Sequence, residues 1–345
     1  MHEGIESEVF ERCRAALPGW RHLTIENFEF DPPKGFSSFT MGFRARPGVD
    51  AEPPAVLYRH LDGKQNAILD FATERQTFLL LGEHEIAAEC YHYDEICRIE
   101  QFFVGRTLTA EDVFDVEIQR AIADELYRFH QLTPKDLPEH TFFELLHEQW
   151  GDMARSVLGE HRFEFPADEQ ALCDDLTEIY SERTIAKVMR CLPERAPVFC
   201  HNDTYHGNVF RLDDGTIKLL DFEFSCRNHI AFDFANLFAE TVMRHGFAEP
   251  PHFRIAEPSF TDDDLGSLIG YYLDNTEFAT PAARQAELTA LVAETRRALM
   301  LSDYMYAMAA LPLALEPIQK IRFIPYSHQR FHKFLRTWEA EFVTP

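Results

Sequence analysis

Positive charge is scarce in this 345-residue chain: 33 Lys and Arg stand against 58 Asp and Glu, a formal net charge of −25. Such a field repels phosphate backbones and anionic headgroups, which argues against a nucleic-acid partner or an anionic membrane surface; it favours a cationic ligand, with solubility or an acidic proteome as the commoner cause of such a balance. Paired cysteines are missing too. The seven cysteines, at 13, 90, 97, 173, 191, 200 and 226, are odd in number and include no CxxC. They read as reduced, buried thiols, and the expected compartment is the cytoplasm. The N-terminal Met-His-Glu-Gly has neither a basic segment nor an apolar h-region, so no signal peptide is expected. Long apolar runs are absent as well. The most apolar stretch, Ala298 to Leu315, is broken by Asp303 and Pro312 and reads as a buried helix, not a membrane span. There is no internal repeat or low-complexity segment. What is present, a 46% apolar share with 31 Phe, fits a soluble enzyme with one large core or two lobes.

The chain is organised around two neighbouring stretches. An apolar lead-in, Val198 to Cys200, runs into His201-Asn202-Asp203, and four residues later comes Asn208. A second apolar run, Ile217 to Leu220, delivers Asp221, followed by Phe222-Glu223. Two short strands joined by a loop would gather Asp203, Asn208 and Asp221 around one small volume. Phosphoryl transfer to a hydroxyl needs that set: one carboxylate takes the hydroxyl proton, while an amide oxygen and a second carboxylate hold Mg²⁺ on the phosphates. Protein kinases use the same Asp-x4-Asn and later Asp, but here no Arg precedes Asp203 and no Gly follows Asp221. Two other readings stay open. His201-x-Asp203 can be an ordinary turn, and His201, Asp203 and His206 can be read as a zinc-hydrolase site, without the usual ligand spacing.

Residues 198–208, 219–224 and the Phe232-Asp233-Phe234-Ala235-Asn236-Leu237-Phe238-Ala239-Glu240 segment resemble the choline/ethanolamine kinase family, within the aminoglycoside-phosphotransferase-like group. The resemblance implies an α+β, protein-kinase-like fold of two lobes. Residues 1–103 would be a nucleotide-binding N-lobe of antiparallel strands plus one helix, and residues 104–345 a mainly helical C-lobe carrying catalysis and the acceptor. It implies ATP and Mg²⁺ as cofactors, a cationic small hydroxyl compound as partner, and a place in phospholipid precursor metabolism; a homodimer is left open. Asp203 would be the base, Asn208 and Asp221 the metal ligands, and Glu223 a further carboxylate at or behind the metal. Kinases for aminoglycoside- or sugar-like alcohols, or a nucleotide-binding pseudokinase, are the alternatives.

Along the N-lobe, residues 5–17 have helical spacing, and strands are expected at Leu23–Phe30, Phe39–Ala45 and Pro54–Leu61. Ser37 and Ser38, in the turn before the second strand, would meet phosphate, although the family's first loop Gly is replaced by Lys34. Arg59 takes the place of the phosphate-gripping cation. Glu74, on a helix from Ile68 to Leu81, would orient it, while His84 stands where the family often has a second Arg. Arg98-Ile99-Glu100-Gln101-Phe102-Phe103 resembles the family's hinge, with Glu100, Gln101 and Phe103 meeting adenine.

The C-lobe should hold helices at Asp115–Leu132, Thr141–Leu158 and Ala167–Leu192, a surface loop at 246–260, and further helices from Thr261, from Thr280 and around Met300–Leu311. A last amphipathic turn or two is expected at Phe331–Trp338. The resemblance implies an acceptor site of Glu240 with Tyr306, Tyr326 and Phe224. Here Tyr306 replaces one Trp of the family's aromatic box, Ala309 replaces the other, and Phe224 replaces a Tyr.

Overall fold

Val9, Phe10 and Cys13 lie on one stripe of α1 (Ile5–Ala16), which stops before Pro18. That stripe packs with Trp20, Phe28, Met41, Phe43, Val56, Tyr58, Cys97 and Ile99 in a single apolar cluster. The structure, a computed structural model, describes residues 4–31, 39–61, 71–135, 137–316 and 321–343. It divides into two compact units, Met1–Gly105 and Arg106–Pro345.

The first unit is built on a five-stranded antiparallel sheet in the order β1-β2-β3-β5-β4. Its strands are β1 (Phe28–Phe30), β2 (Thr40–Ala45), β3 (Ala55–His60), β4 (Cys90–Tyr93) and β5 (Cys97–Gln101). The strand expected from Leu23 begins only at Phe28. Thr24 and Asn27 bond each other instead, with Thr24 N–H donating to Asn27 Oδ1 at 2.8 Å, and close a 3₁₀ turn at Ile25–Asn27. Alternation along β3 and β5 sends Val56, Tyr58, Cys97 and Ile99 to the α1 cluster. Leu57 and Arg59 pair with Glu100 and Arg98, so these four share the other face. Helix α2 (Phe71–Glu83) supplies Phe78 to that face, its ring 3.6 Å from the Arg98 guanidinium carbon. Ser37, Ser38 and residues 68–70 lie outside the described residues.

In the second unit Leu108, just after β6 (Gly105–Thr107), donates its N–H to Val209. Helix α3 (Val116–His130) follows, capped by Asp115. Then come α4 (Phe142–Gly159), α5 (Ala167–Leu176) and α6 (Glu182–Cys191). A single helix over Ala167–Leu192 is not formed. Ser181 accepts from Thr184 N–H as an N-cap, so the chain restarts there. Strands β7 (Val198–Cys200), β8 (Val209–Leu212), β9 (Ile217–Leu219) and β10 (Cys226–Asn228) carry the motif, with β8 paired to β9 and β7 to β10. Helix α7 (Ile230–Ala239) is buried at every position.

Part of the expected 246–260 loop is a hairpin of β11 (Met243–His245) and β12 (Phe253–Ile255), pinned by Phe253 against Tyr326. Helix α8 (Asp262–Leu273) starts in a capping box between Thr261 and Asp264. The helices expected from Thr280 and around Met300 are one, α9 (Pro281–Leu313), 33 residues long. The expected turn or two near the end is a 20-residue helix, α10 (Phe323–Phe342). Its buried stripe includes Ser327 and Arg330, two polar residues that break the apolar spacing. No described helix is long and apolar enough to cross a membrane.

Candidate active site

β7 ends in the loop that carries the chemistry, and α7 holds that loop from below. Asp233, fully buried, accepts N–H bonds from His201 at 2.8 Å and Asn202 at 2.7 Å, and its other neighbour is His130 Nε2 at 2.9 Å. A carboxylate receiving two backbone donors in a dry interior fixes their positions strongly. Asp233 belongs to the quoted sequence motif, but its role could not be read there because its partners lie 31 and 32 residues away. His130, at the end of α3, is a buried strut between Asp233 and Tyr272.

The loop's backbone is unusual at two non-glycine positions, Asn202 with φ 67° and Asp221 with φ 64°. Left-handed backbone at such residues costs on the order of 1 kcal/mol each and persists only when neighbours over-determine it. For Asn202 they do: its amide donates to the Phe224 carbonyl at 2.8 Å and its oxygen accepts from Asn228 at 2.7 Å. His201 ties the two motif segments together. Its Nε2 donates to the Leu220 carbonyl at 2.9 Å while Nδ1 accepts from Asp203 N–H at 3.2 Å. That tautomer is neutral, in keeping with the burial that pushes this imidazole's pKa down. Gly207 has no room for a Cβ, which would stand 2.3 Å from the Tyr205 ring.

Asp203 is 8% exposed and is held on both oxygens. Tyr306 on α9 donates to Oδ1 at 2.5 Å, and Asn208 Nδ2 donates to Oδ2 at 2.7 Å. Burial pushes the Asp203 carboxyl up to about 7, with Asp221 and Glu240 adding like-charge repulsion and the Tyr306 and Asn208 hydrogen bonds opposing it. Asp203 and Asn208 are therefore in direct contact, and Asp221, which follows the Leu220 whose N–H donates to the Asn208 backbone carbonyl at 2.8 Å, lies near enough to repel Asp203. The Asn208 amide nitrogen is spent on Asp203, which leaves its carbonyl oxygen as the end able to meet a cation. Repulsion between Asp203 and Asp221 is what a divalent cation would relieve, so these residues fit Mg²⁺. Asp203, Asp221 and Glu223 are not among the preassembled three-carboxylate or His/Cys/Asp/Glu clusters found among the described residues. Neither is a His201, Asp203 and His206 zinc cluster.

The acceptor residues are placed unequally. Glu240, 5% exposed, is bound to the guanidinium of Arg330, which is fully buried. Arg330 also donates to Asp303 at 2.8 Å and to the Tyr326 hydroxyl at 3.0 Å, and it lies 5.0 and 5.2 Å from the centres of the Tyr306 and Tyr326 rings. Lys333 reaches Asp303 at 2.9 Å. Glu240, Tyr306 and Tyr326 thus meet, but around a cation of the protein's own. Burial raises the Glu240 pKa, and Arg330 opposes the shift. Phe224 instead packs on Trp150 and Phe142 of α4, with ring centres 5.5 and 6.3 Å away. Arg330 and Asp303 were missed from sequence. The available signal was one charge of each sign, each interrupting the apolar face of a late helix.

In the first unit, Glu100 receives Arg98 Nε at 2.5 Å, and Glu74 lies 3.7 Å from Arg98 and accepts from the Tyr93 hydroxyl. Glu74 thus sits at Arg98, the cross-strand neighbour of Arg59. Gln101 is exposed and Phe103 half-buried.

Residues 39–335 match the family model described as choline/ethanolamine kinase. The chain is similar to human choline/ethanolamine kinase, 25% identical over 348 residues, which cover 96% of this chain and 86% of that protein. Among solved structures, the choline kinase from Cryptosporidium parvum Iowa II has a TM-score of 0.76 at 20% identity, covering 97% of this chain and 96% of its own. The Plasmodium vivax ethanolamine kinase has a TM-score of 0.71 at 19% identity, over 92% and 84%. At such identities these structures speak for the fold: α+β and protein-kinase-like, with an antiparallel sheet first and a mainly helical remainder.

Proposed function

Because the chain belongs to the choline/ethanolamine kinase family, a family of phosphotransferases with alcohol acceptors, we propose that it moves the γ-phosphoryl of ATP onto the hydroxyl of a small amino alcohol. The single observation that carries this reading is Asp203: buried, gripped on both oxygens, and raised to about 7. A carboxylate of that pKa is poised to take the acceptor's proton near neutral pH. Tyr306 and Asn208 orient it toward the hydroxyl. Asn208 and Asp221 would hold Mg²⁺, with Glu223 behind or beside them. When bound, that ion neutralises charge on the phosphate oxygens. In the first unit, which we assign to nucleotide binding, Arg59 would grip phosphate together with Ser37 and Ser38. Glu74 would steady the arginine pair, and Glu100, Gln101 and Phe103 would supply the adenine-facing hinge. The free cysteines, six of them buried, fit a cytoplasmic setting.

Within the amino alcohols, the reading ranks a primary ammonium above a quaternary one. Arg330 already lies against both tyrosine rings, so a trimethylammonium would have to displace a buried guanidinium. A primary ammonium can donate to Glu240, which spends Oε1 on Arg330. Ala309 adds no aromatic face. The test is ATP consumption over a panel of ethanolamine, choline, an aminoglycoside and simple sugars, with Asp203→Asn as control. Ethanolamine turnover that exceeds choline turnover and falls by roughly 10²–10⁴ in the variant is expected. Near-normal turnover by Asp203→Asn would remove that residue from its role. Turnover of sugars or aminoglycosides alone would replace the acceptor class, and nucleotide binding without turnover of any acceptor would make the chain a pseudokinase.

A further inference from the structure

His328 and His332 flank Arg330 by two positions each, which turns them roughly to the opposite face of α10. They stand one turn apart, with ring centres 4.3 Å from each other. Asp175 of α5, which packs on α10, brings Oδ2 to 3.3 Å from His328 Nε2. One ligand atom from each of the three lies within 4.8 Å of the others. His332 Nε2 is buried and has no hydrogen-bond partner. None of these residues takes part in the phosphoryl-transfer site.

We propose that Asp175, His328 and His332 form a binding site for one zinc-class divalent cation, which ties α5 to α10. Two imidazoles at i and i+4 on a helix present their nitrogens to the same point, the spacing that helical zinc sites use. A carboxylate from a neighbouring helix completes three protein ligands and leaves a position for water. Around a tetrahedral ion at about 2.0–2.2 Å from each ligand, the ligand atoms stand about 3.4 Å apart. The His328–Asp175 pair is already at that separation, and small rotations of side chains that are partly exposed would bring in the third. Two nitrogens out of three ligands select against Mg²⁺, which demands oxygen. The site is thereby chemically distinct from the Asn208–Asp221 pair. It couples to the acceptor cluster only through the helix, whose inner face carries Tyr326 and Arg330.

The test uses the full chain in excess Mg²⁺, titrated with Zn²⁺ against a chromophoric chelator. Wild type should take up one equivalent more than His328→Ala or His332→Ala, or bind that equivalent at least about tenfold more tightly. The Zn²⁺-dependent rise in melting temperature should vanish with it. Asp175→Asn, at a side chain 63% exposed, gives a variant whose fold is not at risk and should weaken the same step. Co²⁺ separates this site from the other partly accessible cluster among the described residues, His92, Asp94 and Cys97. In His332→Ala the visible d–d absorption should drop to whatever accompanies a thiolate-to-cobalt charge-transfer band, with that band itself unchanged. Identical stoichiometry, affinity and melting shift in wild type and all three variants would overturn the proposal, leaving His328–Asp175 as a surface ion pair.

Discussion

The Tyr306 hydroxyl donates a 2.5 Å hydrogen bond to Oδ1 of Asp203, joining α9 to the loop after β7 across 103 positions of sequence. The resemblance implies a Trp at the position of Tyr306, so the hydroxyl adds to Asp203, the proposed base, a donor that an indole ring face lacks. That bond favours the ionised carboxylate and opposes the burial that lifts its pKa to about 7.

Removing the donor therefore has a definite sign. In Tyr306→Phe the Asp203 pKa rises further, and the acid limb of the pH profile of kcat/KM moves to higher pH. Turnover at pH 7 falls more than turnover at pH 9. An unmoved limb, with a uniform loss at all pH values, would show that Tyr306 only packs.

Arg330, fully buried, compensates the buried carboxylates Glu240 and Asp303. Arg330→Met strands Glu240 and leaves Asp303 to Lys333, and should cost about 3–5 kcal/mol in urea unfolding. The double variant Arg330→Met, Glu240→Gln should recover part of that loss, because one uncompensated charge is gone. Strict additivity of the two single changes would deny the coupling.

Asp233→Asn keeps the shape but removes the charge that accepts the His201 and Asn202 N–H groups. We expect a stability loss of about 2–3 kcal/mol, the difference made by charge-assisted bonds to a buried carboxylate. Turnover should fall with it, since Asp203 is the next residue along. Unchanged kcat together with lowered stability would confine Asp233 to folding.

His147 accepts burial as a neutral ring beside the Tyr304 hydroxyl at 2.9 Å, and desolvation lowers its pKa to about 4. The unfolded chain binds this proton near pH 6.5 and the native chain does not. Stability contributed by the neutral ring is thus full above about 6.5 and lost as pH falls toward 4. His147→Gln should flatten the fall in unfolding free energy between pH 7 and 5 by about 2 kcal/mol. An equal slope in both proteins would refute the assignment.

The sequence alone carried the reaction class and many of the local elements. The run from Val198 to Glu223 is short, and its strands and loop form from contacts between near neighbours, so Asp203, Asn208 and Asp221 could be grouped by spacing. The helix starts at Thr261 and Thr280 were legible for the same reason, since each capping side chain bonds its own helix within three residues. Tertiary structure decided what surrounds the base. The Arg330–Glu240 pair spans 90 positions, and no periodicity announces that a charged residue will be buried until its partner is in place. Nor could the aromatic content tell that Phe224 turns to α4 while Tyr306 turns to Asp203, because ring partners are chosen by packing across helices that a linear pattern does not order.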